Sequence, residues 1–334
     1  MSHPRKALRS AIIGVALAIA PVPVLAQSKQ PAESREAPAA PTEAALAVGA
    51  LQIGSVANLD VAGFDIAVTA GSVVYSYYFT NKGNADLAVA GSLSLPELRA
   101  SADHSETWTL ARNDPENFVD LSITAGGAPV ATKVAVRAEA VGIDRLGEIQ
   151  AEHLPLLPFG AATDKALAGL SPETADKLAA LGIVSPREPK APLTADWSLE
   201  VVHTLRLTLP AGKTTPVVVK FAPIAAHYRL AKGDEGDISD LKEELCLKPQ
   251  VLSALQSRLK GNGAWNVIDI SLAADAPAHW IDSPAATISV QKPKPDAIVA
   301  FCGLDEKTAG KPAVLGTAPD DNDGIRVVMF ESAK

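Results

Sequence analysis

Cysteine is scarce in this sequence, with 2 residues in 334, as are methionine, with 2, and aromatic side chains, at 4%. Two thiols exclude a disulfide-dense miniprotein and a four-thiolate zinc site. A basic excess is also missing: 30 Lys+Arg stand against 38 Asp+Glu, a net charge of −8. Such a balance offers no electrostatic footprint for phosphate backbones, so nucleic acid is not an expected partner. After the N-terminal segment, no apolar run approaches the roughly 18 residues of a membrane span. What is present, 47% hydrophobic and 20% charged residues, belongs to a globular chain able to bury a core.

Residues 1–26 read as an export signal. Arg5, Lys6 and Arg9 precede an apolar run from Ala11 to Leu25 that Pro21 and Pro23 interrupt, and Val24-Leu25-Ala26 places small residues before a cleavage point at Gln27. Neither cysteine lies near that point, so a lipid anchor is not expected, and the address is periplasmic or secreted. Residues 27–45, rich in Pro, Ala, Glu and Ser without apolar period, read as a disordered linker. An oxidising compartment favours a bond between Cys246 and Cys302, which by chain entropy would stabilise the fold by about 4 kcal/mol. A reactive thiol is the alternative, and the neighbours Leu245 and Phe301 supply no activating charge.

The remainder predicts a mainly β chain with α insertions: an antiparallel β-sandwich over residues 46–230 carrying a helical insertion at about 154–192, then a smaller disulfide-linked α+β region over 231–334. Strands are expected at Leu51–Ile53, Phe64–Val68, Val73–Thr80, Leu87–Leu95, Phe118–Thr124 and Val130–Glu139. Turn residues at Ala70-Gly71-Ser72, Asn81-Lys82-Gly83-Asn84 and Ala125-Gly126-Gly127 suit tight antiparallel connections. Both parities of Val73–Phe79 are largely apolar, predicting a central strand covered on both faces. Thr163–Leu170 and Ser171–Leu181 read as helices, the second with Ser171 as N-cap and Gly182 past its end, docked through a thin apolar edge. From Trp197 to Leu209 the odd positions are apolar apart from His203, and Pro210-Ala211-Gly212-Lys213 should turn this strand into a hairpin with Val217–Phe221. A helix from Pro249 to Lys260 ends at Gly261, and short strands follow at Trp265–Leu272, Ala286–Val290, Ala297–Phe301 and Ile325–Phe330; the strands of this region could instead extend the first sheet system.

Reactive constellations are sparse. Gly212-Lys213-Thr214 has the ending of a phosphate loop, but Leu207 stands where its first glycine belongs. In Pro319–Gly324 a proline occupies the first ligand position of a calcium loop, leaving a solvated acidic loop as the expectation. The six histidines have no HxH or HExxH spacing, and no GxSxG elbow or dinucleotide fingerprint occurs. His203, among leucines on the apolar face, reads as a buried polar group needing hydrogen-bond partners rather than as a catalytic base. Asp103 with Glu106 and Asp114 with Glu116 have the composition of acid/base pairs but sit in polar loops. No catalytic, metal-ligating or cofactor-binding residue is assigned, and no cofactor is expected. The candidate contact surface is the helical insertion with the Pro/Asp-rich loop that bears Trp280 and, before it, His279; packing of Trp280 against neighbouring strands is the alternative.

An ordered series of landmarks resembles a family. Leu46-Ala47-Val48-Gly49-Ala50-Leu51, Tyr75-Ser76-Tyr77-Tyr78-Phe79-Thr80-Asn81, Ser94-Leu95-Pro96, Gly127-Ala128-Pro129-Val130, Leu154-Pro155-Leu156, Trp197 leading to Pro210-Ala211-Gly212, Cys246, Trp280 and Phe301-Cys302 together resemble a group of exported bacterial proteins, the domain-of-unknown-function family DUF4424. The resemblance runs from about Ala45 to Phe330 and departs at Ala274-Asp275-Ala276-Pro277, before His279. It implies an exported, β-rich, non-lipidated protein with paired cysteines, and brings no activity with it. The expected function is a non-catalytic binding or envelope-assembly module whose partner is an envelope protein or a glycan. The alternatives are a hydrolase of envelope polysaccharide or peptide, with at least two of His203, His104, Asp103 and Glu106 in one pocket, and a carrier of apolar ligands between the sheets.

Overall fold

Alternation of apolar and polar side chains, and the faces it creates, determines the architecture. The computed structural model describes residues 46–54, 56–100, 109–186, 191–234, 238–239, 242, 245, 247–272, 287–302, 313–314 and 325–333. The expected leader and linker, residues 1–45, lie outside them, as does Cys246.

In chain order the elements are β1 (Gln52–Ile53), β2 (Leu59–Thr69), β3 (Ser72–Asn81), β4 (Leu87–Ser94), β5 (Leu98–Arg99), β6 (Ser122–Ala125), β7 (Ala128–Pro129), β8 (Thr132–Ala140) and β9 (Ile143–Asp144). Helices α1 (Leu146–Ala151), α2 (Ala161–Ala168) and α3 (Pro172–Ala180) follow, then β10 (Ser198–Leu209), β11 (Thr214–Phe221), β12 (Ala226–Leu230) and α4 (Pro249–Lys260). The series ends with β13 (Ala264–Leu272), β14 (Thr287–Val290), β15 (Ile298–Cys302), β16 (Ala313–Val314) and β17 (Ile325–Ala333). Among the described residues they form three sheets. One has the order β1-β4-β10-β8-β9, with β5 also on β10; the second runs β16-β14-β2-β3-β11-β6-β7; the third runs β12-β13-β17-β15.

The chain is mainly β, as its turn chemistry predicts, but two expectations about connection and pairing change. Residues 81–84 and 210–213 do not close hairpins. Each carries the chain from one sheet to another, β3 to β4 and β10 to β11, so that the apolar faces of the joined strands meet across the core instead of pairing edge to edge. Nor is every pair antiparallel: β14 lies parallel to β2, with Thr287 opposite Asp65. No disulfide is found among the described residues; Cys246 is outside them, and of Cys302 the strand position alone is described.

Odd positions of β10, from Leu199 to Leu209, face inward with β4, and across from them stand Tyr75, Tyr77 and Phe79 of β3 and Phe64 of β2. Here β3 departs from its expected double burial: its odd side is sealed, while Ser72, Val74, Ser76, Tyr78 and Thr80 are half-buried. Phe64 and Tyr77 stack at 4.8 Å between ring centroids, and the Leu51 backbone N–H donates to the Tyr77 hydroxyl at 3.1 Å. Ile268, Ile270, Leu272, Val327 and Met329 from the third sheet join the same core.

The helical insertion has a core of its own rather than a thin edge. Ile149, Leu167, Leu178 and Ile183 pack with Ala138, Ala140 and Trp197, whose indole N–H donates to the Leu156 carbonyl at 2.9 Å. Ser171 caps α3 through the Thr174 N–H, and Gly182 (φ 72°) ends it: Gly182 N–H bonds to Ala179 O and Ile183 N–H to Leu178 O, a Schellman pattern. Helix α1 lacks a side-chain cap and is only six residues long, too short for periodicity to reveal.

Candidate functional site

The outer face of the first sheet is built by the even positions of β10. Inward residues fill the core, so Ser198, Glu200, Val202, Thr204, Arg206 and Thr208 must face away from it. Register brings neighbours alongside them. Thr204 lies between Ser92 of β4 and Lys133 of β8, Arg206 opposite Ala90, and Glu200 opposite Arg137. On β4 this face carries only Ala88, Ala90, Ser92 and Ser94, whereas β8 and β10 carry long side chains, so the surface forms a trough.

An open groove of about 1010 Å³ occupies one end of this sheet, lined among others by Gln52, Ser92, Thr132, Lys133, Thr204 and Arg206. Lys133 and Arg206 are diagonal cross-strand neighbours, which sets their Cβ atoms roughly 7–8 Å apart. Neither is in an ion pair with a described residue. Further along, Glu139 at 2.8 Å and Glu200 at 3.6 Å share the single guanidinium of Arg137, so the middle of the face carries no free positive charge. The groove therefore presents two uncompensated positive charges among hydroxyl and amide groups.

At the opposite end lies a smaller pocket of about 340 Å³ bordered by Arg99, Glu139, Asp196, Ser198 and the β8–β9 turn at Val141-Gly142. Its walls partly desolvate Asp196 and raise the pKa of that carboxyl. Both turn residues have positive φ, 49° at Val141 and 78° at Gly142; for a β-branched side chain such as Val141 this is a strained conformation, and its side chain is 74% exposed.

His203 is 4% exposed. Its Nε2–H donates to the Glu116 carbonyl at 2.9 Å, which leaves Nδ1 to accept from the Thr132 hydroxyl at 3.1 Å. Thr132 also borders the groove, so hydroxyl and imidazole stand as a nucleophile and base would. The second ring nitrogen, however, meets a main-chain carbonyl and not a carboxylate, and desolvation lowers the imidazole pKa despite Glu116. That arrangement holds a neutral ring in place and gives a forming imidazolium little support.

Of the other sequence-derived candidates, Asp114 accepts the Glu116 N–H at 3.0 Å within an exposed loop. Asp103, His104, Glu106, His279, Trp280 and the acidic loop 319–324 lie outside the described residues. Gly212 and Lys213 turn β10 into β11, with Gly212 at φ 63°. Among the described residues no three His, Cys, Asp or Glu side chains are grouped to hold a metal. The sequence reading passed over Lys133, Arg206, Asp196 and Ser198. Strand parity marks Arg206 as outward, but its placement beside Lys133 depends on a pairing between strands far apart in the chain.

The profile of a family described as Domain of unknown function (DUF4424) matches residues 39–318, most of the chain. The chain belongs to the DUF4424 family. Its matched span covers β1 through β16, and so both the groove and the Asp196 pocket. No curated protein matches this DUF4424 chain significantly. Among solved structures it is similar to a Legionella pneumophila protein described as a candidate nutrient-binding protein, at 7% identity over 86% of this chain and 68% of that one, with a TM-score of 0.29. A score that low carries no argument about this chain.

Proposed function

We propose that this DUF4424 protein is a non-catalytic binding module of the cell envelope that holds a carboxylate- or phosphate-bearing glycan in the groove on the outer face of the first sheet. One observation carries the reading: Lys133 and Arg206 stand side by side and unneutralised in a groove of about 1010 Å³. Two cations spaced this way suit an anionic group between them, and Gln52, Ser92 and Thr204 offer partners for sugar hydroxyls. Buried His203, held neutral and without a carboxylate, favours holding over cleaving. Export by the basic and apolar leader, with processing before Gln27, and an oxidised Cys246–Cys302 pair belong to the same reading.

Calorimetric titration of the purified full chain with oligogalacturonate tests it. Binding should weaken with added salt and fall at least tenfold, about 1.4 kcal/mol, in the Lys133→Glu, Arg206→Glu double variant, with no change in thermal midpoint. Equal affinity for neutral dextran, or an unaffected double variant, would refute the proposal.

A further inference from the structure

The groove on the first sheet has a direction. Register sets Gln52 of β1 opposite Ser92 of β4, Ser92 opposite Thr204 of β10, and Thr204 opposite Lys133 of β8. Four polar side chains from four strands therefore form one row across the outer face, and all four line the groove. Neighbouring strands lie about 4.8 Å apart, so the row is about 14 Å long. On β4 the lining consists of the consecutive residues Ala90, Gly91 and Ser92, while sideways it reaches β1 and β8. The groove thus follows the row across the strands and does not run along the trough over β4.

Its two halves differ in charge. The half on β10 and β8 holds Arg206 and Lys133, both uncompensated, whereas the half on β1 and β4 offers the amide of Gln52 and the hydroxyl of Ser92. Thr204 stands between them. Its hydroxyl donates to the Lys133 carbonyl at 3.2 Å, so toward the groove it presents lone pairs and accepts from a ligand hydroxyl. Beside the row, Gly54, Ala90 and Ala131 carry nothing larger than a methyl group, which leaves room for rings to lie over the backbone.

Resting on the anionic-glycan reading of this groove, we infer that the ligand is a linear glycan lying across the strands, with one acidic unit between Lys133 and Arg206 and the next two units directed over Thr204, Ser92 and Gln52. The strand spacing is close to the length by which one pyranose ring extends a linear chain, so three units match the row. An extended polypeptide advances about 3.4 Å per residue and falls out of step with it. Because positive charge sits at one end, a single acidic unit in three satisfies the groove. A second or third anion meets no cation at Ser92 or Gln52.

Calorimetric titration of the full chain at physiological salt with di-, tri- and tetragalacturonate tests the inference, together with the two trimers methyl-esterified at all but one terminal unit. Affinity should rise about fivefold or more from dimer to trimer, and no more than about twofold from trimer to tetramer, the statistical gain of a second register. Gln52→Ala should weaken the trimer several-fold and leave the dimer unchanged, since a dimer anchored at the cations does not reach β1. One of the two singly charged trimers should bind within about threefold of the fully acidic one. Equal affinity for dimer and trimer overturns the placement across the strands, as does an unaffected Gln52→Ala variant with the parent's thermal midpoint, or loss of binding by both singly charged trimers. Each of those results leaves the groove reading standing so long as the Lys133→Glu, Arg206→Glu variant still loses the oligomers. Absence of binding by every oligomer removes the groove reading itself, and this inference with it.

Discussion

Protonation of His203 opposes folding. Its imidazole is sealed between the Thr132 hydroxyl and the Glu116 carbonyl, and desolvation lowers its pKa below the ordinary 6.5. As pH falls, the unfolded chain takes up this proton before the folded one does, so the contribution of His203 to stability is full above about pH 6.5 and declines below it. Urea denaturation across pH 7.5 to 5 should show that decline. His203→Gln removes this titration and should flatten the profile there, while costing about 1–3 kcal/mol at neutral pH by leaving one or both partners unsatisfied. Strand parity is enough to put residue 203 on the apolar side of β10. Its two partners come from β8 and from the loop before β6, and nothing local in the sequence joins them to it.

At the scale of elements, the β8–β9 turn and the end of α3 constrain each other. Gly182 holds φ at 72° to close the helix, and a Cβ added there would lie 2.8 Å from the Val141 side chain. Gly182→Ala therefore meets both backbone strain and a collision with a stiff β-branched group, and should destabilise by about 1–2 kcal/mol. Val141→Asn should act in the opposite direction, stabilising by about 1 kcal/mol, because Asn followed by Gly suits two successive positive φ values. Thermal unfolding of the two variants checks both signs; a destabilised Val141→Asn would mean that packing against Gly182 outweighs turn strain. Gly182 was legible as a helix stop, since caps are local signals. The strained Val141 was not, for a valine carries no mark of the left-handed region.

For the whole molecule, the decisive contacts are those that join sheets. Asn81 is 1% exposed at the end of β3, where both sheet-to-sheet connections pass. Its amide nitrogen donates to the Ala85 and Leu209 carbonyls, each at 2.9 Å, its side-chain oxygen accepts the Gly83 N–H at 2.9 Å, and its backbone N–H reaches Lys213 O at 3.0 Å. One side chain thus ties the chain's passage out of β3 to its passage out of β10. Asn81→Ala strips three hydrogen bonds in a sealed environment and should lower stability by about 2–4 kcal/mol in urea titrations, whereas exposed Asn84→Ala should change it by less than about 0.5 kcal/mol. Loss from Asn81→Ala no greater than from Asn84→Ala would show that the core alone holds the two connections.

Amino-acid order by itself determined the family, the mainly β class and the local elements with strong punctuation: α3 with its serine cap, α4 from Pro249 to Lys260, and β10 with its alternating faces. Capping, periodicity and turn chemistry act within a few residues, so they can be read along the chain. Tertiary structure decided which sheet each strand joined, that β14 runs parallel to β2, and that Lys133 stands beside Arg206. Those outcomes depend on register between distant strands and on which faces are covered, quantities set by the packing of the whole core rather than by any neighbour in sequence.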